Sequence, residues 1–139
     1  MALGFQRLTG KQDVRDLIVA TASVVAIGDL VSTDESAGNL IVGATNIANV
    51  GVALDASANG STTAIRYDRL TPGTIWRGAV ESGTPVATLK GKFCDISSQD
   101  GLAVETTTNS DCRIIDWAGD TGFMDVEFTT TEQLGPDTA

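Results

Sequence analysis

Two cysteines, Cys94 and Cys112, and eighteen carboxylates are the groups in this 139-residue chain that could carry chemistry, with no histidine beside them. A thiolate nucleophile needs a base within hydrogen-bond reach. Imidazole is also the commonest general base and transition-metal ligand. Without it, both cysteines read as small buried apolar residues. A Cys94–Cys112 disulfide stays open, because that bond depends on Cα separation and side-chain direction. Asp29, Asp34 and Glu35 lie close together, as do Asp116, Asp120 and Asp125. Neither group has the alternating ligands, fixed glycine and closing Glu of a calcium loop, so both read as solvated turn residues. Gly101, Gly119 and Gly122 frame no serine elbow. Thr9-Gly10-Lys11 ends like a phosphate-binding loop but lacks its upstream glycine. Carboxylate pairs for glycoside hydrolysis are set by separation in space, and normally sit in an aromatic-lined cleft. Aromatic residues are only 5% of this chain, which argues against such a cleft. The expectation is therefore no enzyme, no metal and no cofactor.

The two tryptophans each carry two readings. Trp117 ends an apolar stretch and reads as core or rim. Trp76 alternates with Ile75 and Arg77. It is either core or, if Ile75 points inward, an outward anchor of the kind found at interfaces.

Composition narrows the setting. A chain of this length is expected to form one domain and to bury about two thirds of its unfolded surface. With few aromatics, the core must be Val, Ile, Leu and Ala. The formal net charge of −9 disfavours nucleic acid and anionic membranes as partners. The opening residues lack a basic-then-apolar signal pattern and no run reaches membrane-spanning length, so the expected setting is a reducing cytosol.

The elements that would position these residues read as strands. Leu40-x-Val42-x-x-Thr45 is followed by Val50-x-Val52; roughly sixty residues later Leu102-x-Val104-x-x-Thr107 is followed by Cys112-x-Ile114. Each copy continues through a polar turn (Asp55 to Ser61; Ala118 to Gly122) into an alternating stretch, Thr63 to Tyr67 or Met124 to Phe128. Gly28/Val31 and Gly83/Val86 extend the likeness. Leu17–Val25 reads as a buried strand, with a helix open on period alone. Asp34–Asn39, Asn59-Gly60 and Pro72-Gly73 are turn signals. Thr74–Glu81 alternates, and Pro85–Leu89, Lys92–Ile96, Leu102–Glu105, Cys112–Trp117 and Gly122–Phe128 read as further short strands. Thr129–Ala139 reads as a loose tail. The fold expected is all-β: a small barrel or sandwich of about ten short strands with a weak internal duplication. Residues 1–16 read as an extended N-terminal arm, with a short helical turn over Lys11–Leu17 as the alternative. Residues 17–139 read as one β domain with repeat units near 17–70 and 74–128.

In the order of these elements the chain resembles the small head decoration (capsid cement) proteins of bacteriophages. The likeness lies in Gly4-Phe5-Gln6-Arg7 before an apolar strand, then Gly28-Asp29-Leu30-Val31, a Gly/Asn turn, Leu40-Ile41-Val42 and Asn49-Val50-Gly51-Val52-Ala53-Leu54. It covers residues 4–67 well and 74–128 only as pattern, and the long C-terminal half departs from the family. The resemblance implies a structural virion protein, made in the bacterial cytoplasm, that sits on the outer capsid surface. It would be a homotrimer bridging neighbouring subunits of a major capsid protein, binding neither nucleic acid nor membrane. The alternative is a head-fibre or spike base, or a host-surface glycan-binding module. In the capsid reading, Leu3, Phe5, Arg7, Leu8, Lys11 and Arg15 are the arm residues expected to touch the capsid, and Trp76 is a possible interface anchor. Removing residues 1–12 is then expected to weaken attachment and leave the fold intact.

Overall fold

The protein is described by a computed structural model that covers residues 4–20, 23–34, 38–43, 49–57, 64–71, 73–117, 119 and 122–129. Among them the chain is all-β, with no α-helix. The strands are β1 (Phe5–Arg7), β2 (Val14–Ile18), β3 (Leu30–Thr33), β4 (Leu40–Val42), β5 (Asn49–Ala53), β6 (Ala64–Arg69), β7 (Trp76–Ser82), β8 (Phe93–Ser98), β9 (Gly101–Ala103), β10 (Cys112–Asp116) and β11 (Phe123–Phe128).

The duplication is one of topology. The first unit runs β2-β6-β5-β3-β4, and a parallel bridge from Leu40 to Val19 returns it to the chain just past β2. The second runs β7-β11-β10-β8-β9, and β9 returns parallel to β7 through Val80↔Leu102 and Ser82↔Ala103. Each unit is thus a five-strand ring traced by the same path. Leu40 and Leu102 hold the same place in it, at the parallel closure, and both are wholly buried. Antiparallel pairs joined by short turns make up the rest, as expected of a Gly-, Thr- and Val-rich chain. The Gly83/Val86 step does not match Gly28/Val31. Gly83 directly follows β7, whereas Gly28 precedes β3. The left-handed glycine just ahead of β8 is Gly91 (φ 87°), the counterpart of Gly28 (φ 94°).

Three expectations shift. The expected strand over Leu17–Val25 starts earlier and ends at Ile18; Val24 is exposed, and Val25 makes a lone bridge to Ser57. Pro85–Leu89 holds a 3-10 turn at Ala87–Leu89 in place of a strand. A short apolar run reports burial and not backbone conformation, which explains both. The arm is also not free. β1 pairs antiparallel with β7 (Phe5↔Gly78, Arg7↔Trp76), and residues 14–16 already belong to β2. Gly4 permits the docking: its φ is 76°, and a Cβ there would lie 2.4 Å from the carbonyl oxygen of Gly28. The Asn59-Gly60 turn and the tail beyond Thr129 lie outside the described residues.

Two clusters form the core. One fills the first unit with Val19, Val25, Val31, Leu40, Val50, Ala53, Ile65 and Tyr67. The larger fills the second unit and also takes Leu30, Val52 and Leu70 from the first. Each such side chain contributes about 1.5–3 kcal/mol when fully buried. β5 is therefore buried along its whole length, with Val52 in the larger cluster and Val50 and Ala53 in the smaller. Trp76 is core: 1% exposed, its ring 6.2 Å from Phe128 in an edge-to-face contact. It is not an outward anchor, because Trp76, Gly78 and Val80 are the face of β7 turned to the larger cluster. Phe5 is core as well, 4% exposed and 5.4 Å from Phe128.

Candidate functional site

The residues expected to reach out from the N-terminus divide once placed. Leu3 lies outside the described residues. Phe5 cannot touch a partner, since its ring completes the core. Arg7 is turned along the surface of its own fold: its Nε donates to Asp68 Oδ2 at 2.9 Å, and its Nη1 donates to the carbonyl of Gly10. Arg15 donates to Asp13 at 2.9 Å, and Arg69 reaches the same carboxylate at 3.1 Å. Those two guanidinium groups, Arg15 first, hold the Asp13 carboxyl below the usual carboxylate range. On the first unit's surface the Arg66 guanidinium does the same to Asp55, bringing it down to about 2. Leu8 and Lys11 stay exposed. Of the five described arm residues, these two present side chains to a partner without first breaking an ion pair.

Lys11 lines an open groove of about 550 Å3 together with Gly10, Gln12, Asp13, Thr71, Gly73 and Thr74. The Thr71 and Thr74 hydroxyls are 2.6 Å apart and satisfy one another. A second hollow of about 290 Å3 lies where the units meet, lined among others by Arg7, Ile27, Val52, Asp68 and Trp76. The carboxylates in these hollows, Asp13 and Asp68, are held by arginines. Among the described lining residues, each carboxylate is thus already paired with an arginine.

The acidic clusters are not all solvated turns. Asp116 is exposed, with Lys90 4.0 Å away. Asp125, in contrast, is buried in β11 and held by Arg77 at 2.9 and 3.2 Å. Asp29 is 5% exposed and accepts the Ala26 N–H at 2.9 Å. Burial pushes its carboxyl up, against the Ala26 hydrogen bond, and the nearby Asp100 charge adds to the rise. Glu35 and Asp120 lie outside the described residues. Sequence reasoning passed over Asp95 and Asp111, which fasten the turn ahead of β10. Asp95 Oδ1 accepts the N–H groups of Asn109 and Ser110, and Asp111 Oδ2 accepts that of Ile96. The Asn109-Ser110-Asp111 run was the available signal, since such residues bind neighbouring backbone in turns. Among the described residues no three His, Cys, Asp or Glu side chains gather to hold a metal.

Cys94 and Cys112 are opposite one another across β8 and β10, both fully buried and both free thiols. Burial pushes the Cys112 thiol well up, which suppresses the reactive thiolate.

Apolar side chains also stand out from the surface. Leu8, Val14, Ile18, Val24 and Ile27 project from the N-terminal segment and the first unit, and Val86 and Phe93 from the second. Arg113 covers Phe93, its guanidinium carbon 4.3 Å from the ring centre. No helix among the described residues is long and apolar enough to cross a membrane. Comparison of the chain with family models, with curated proteins and with solved structures found no match.

Proposed function

We propose that this chain is a structural protein of a phage head, decorating the capsid as a trimer and bridging neighbouring capsid subunits. The observation that carries the reading is mechanical. One apolar cluster runs across both β units, so the molecule behaves as a single stiff block. Such a block transmits force between the subunits it touches, and symmetric repetition of modest contacts gives avidity. The exposed Leu8, Val14, Ile18 and Ile27 supply apolar contact area. The charge of −9 favours basic loops on the partner. Leu8 and Lys11 keep the contact role expected of them, Lys11 at the open groove, while Phe5 and Trp76 give theirs up to the core. Binding the assembled lattice in preference to its separated subunits stabilises the shell by mass action.

Two measurements test this. Light scattering should give three times the 14.4 kDa chain mass. Purified heads lacking the chain should take it up on co-sedimentation and then resist heat better. A monomer at high concentration that leaves heads unoccupied would sink the proposal.

A further inference from the structure

We infer that the open edge of β2 is an acceptor site for an extended strand from a different protein, one with a basic residue flanked at two-residue spacing by apolar ones. The duplicated fold shows what such an edge does. In the second unit, β7 has β11 along one side. Along the other it has β9 at its far end and β1 at its near end. There Ala79 N–H donates to Gly4 O, and Leu8 N–H to Ile75 O. In the first unit β2 has β6 along one side and, on the other, only the closing bridge at Val19. The stretch that corresponds to the β1-covered part of β7 is β2 itself, and no described strand pairs with it.

The ladder fixes which groups are offered. Arg69 N–H donates to Asp13 O on the β6 side, and Ala20 N–H donates to Leu40 O on the opposite side. Antiparallel bonds alternate along a strand. The N–H and C=O groups of Val14, Asp16 and Ile18 therefore face this side of β2; the parallel bridge at Val19 takes the Ile18 C=O through the Leu40 N–H and leaves the other five groups open. Their side chains are exposed too, Val14 by 44% and Ile18 by 47%. Asp16 stands between them and makes no ion pair with a described residue.

That pattern selects the guest. An added strand satisfies the backbone pairs of Val14 and Asp16 and the N–H of Ile18, places apolar residues beside Val14 and Ile18, and sets a Lys or Arg beside Asp16. A second copy fits badly. Two-fold pairing of β2 with its own copy brings Asp16 against Asp16, a like-charge pair at the centre, and β1 of any copy is already built into its own second unit. The site does not depend on which assembly the chain joins.

The test is an NMR titration of the 15N-labelled full chain with a seven-residue peptide, threonine and valine alternating around a central lysine. A control peptide carries glutamate at the centre. The lysine peptide should shift and protect the amides of Val14, Asp16 and Ile18 at millimolar concentration, with about a threefold preference over the glutamate peptide. Asp16→Pro removes an N–H that the β6 ladder does not use, so the fold tolerates it while the added strand loses its central bond. That variant should lose at least tenfold in affinity. Asp16→Lys should reverse the preference, and it keeps the test alive if the proline variant fails to fold. Unperturbed edge amides, or an unchanged preference in Asp16→Lys, would overturn the inference. So would edge shifts that follow protein concentration alone, which would assign the edge to a second copy.

Discussion

Asp29 is a buried carboxylate in the turn ahead of β3 with no described cation beside it, whereas Asp68 and Asp125 are each met by an arginine. Its pKa is raised in the folded state, so the folded chain holds a proton over a pH range where the unfolded chain has released it. Stability from this group is fully present below the unfolded value of about 3.9 and is lost as pH rises through the raised folded value. Asp29→Asn keeps an oxygen for the Ala26 N–H and removes the charge. It should stabilise the protein at pH 7 by on the order of 1 kcal/mol, with the advantage vanishing near pH 3.5. Urea unfolding at the two pH values reads this, and an Asn variant weaker at pH 7 would refute it. The sequence could not reveal this charge, because a turn of Gly28 and Asp29 looks the same whether solvent or another strand covers it. Trp76 was closer to legible. Ile75, just ahead of β7, and Arg77 alternate with Trp76, and a charged residue on their side marks it as the outer one, leaving Trp76 to the core.

β1 is three residues long, yet it carries more than its length suggests. It covers the near edge of β7, and Phe5 closes the aromatic contact with Phe128, which in turn meets Trp76. Phe5→Ala should cost about 3–5 kcal/mol through the cavity it leaves. Removing residues 1–9 should cost more, since Trp76 and Phe128 then lose a neighbour and β7 three ladder positions. The urea midpoint measures both; a truncated chain melting with the full one would restore the free-arm view. Strands with strict apolar spacing and flanking turns were legible, among them Leu40–Val42, Asn49–Ala53 and Phe123–Phe128. β1 was not. A segment of Phe-Gln-Arg between glycines has no period of its own, and only the empty edge of β7 tells it where to lie. The acceptor edge of β2 was hidden for the same reason: an unpaired edge is a property of topology and has no local sequence mark.

At the scale of the molecule, the repeat raises the question of whether two similar rings unfold as two domains. Their contacts argue for one. Leu30, Val52 and Leu70 of the first unit sit in the second unit's cluster. Leu30 N–H donates to Gln99 O at 2.6 Å, and Phe5 N–H to Gly28 O at 2.8 Å, so backbone bonds cross the seam as well. Opening either unit alone would strip apolar surface and buried polar groups from the other. That penalty makes the half-open state costly and the transition all-or-none. Calorimetry should therefore show one peak, with van't Hoff and calorimetric enthalpies equal. Leu70→Ala probes the coupling directly: the residue leaves the first unit yet packs in the shared cluster. It should lower the stability of the whole by about 2–5 kcal/mol and move the single peak without splitting it. Two resolved peaks in the wild type, or a Leu70→Ala trace in which one half melts early, would mean that the rings are independent. The stiff-block basis of the proposed capsid role would then be gone.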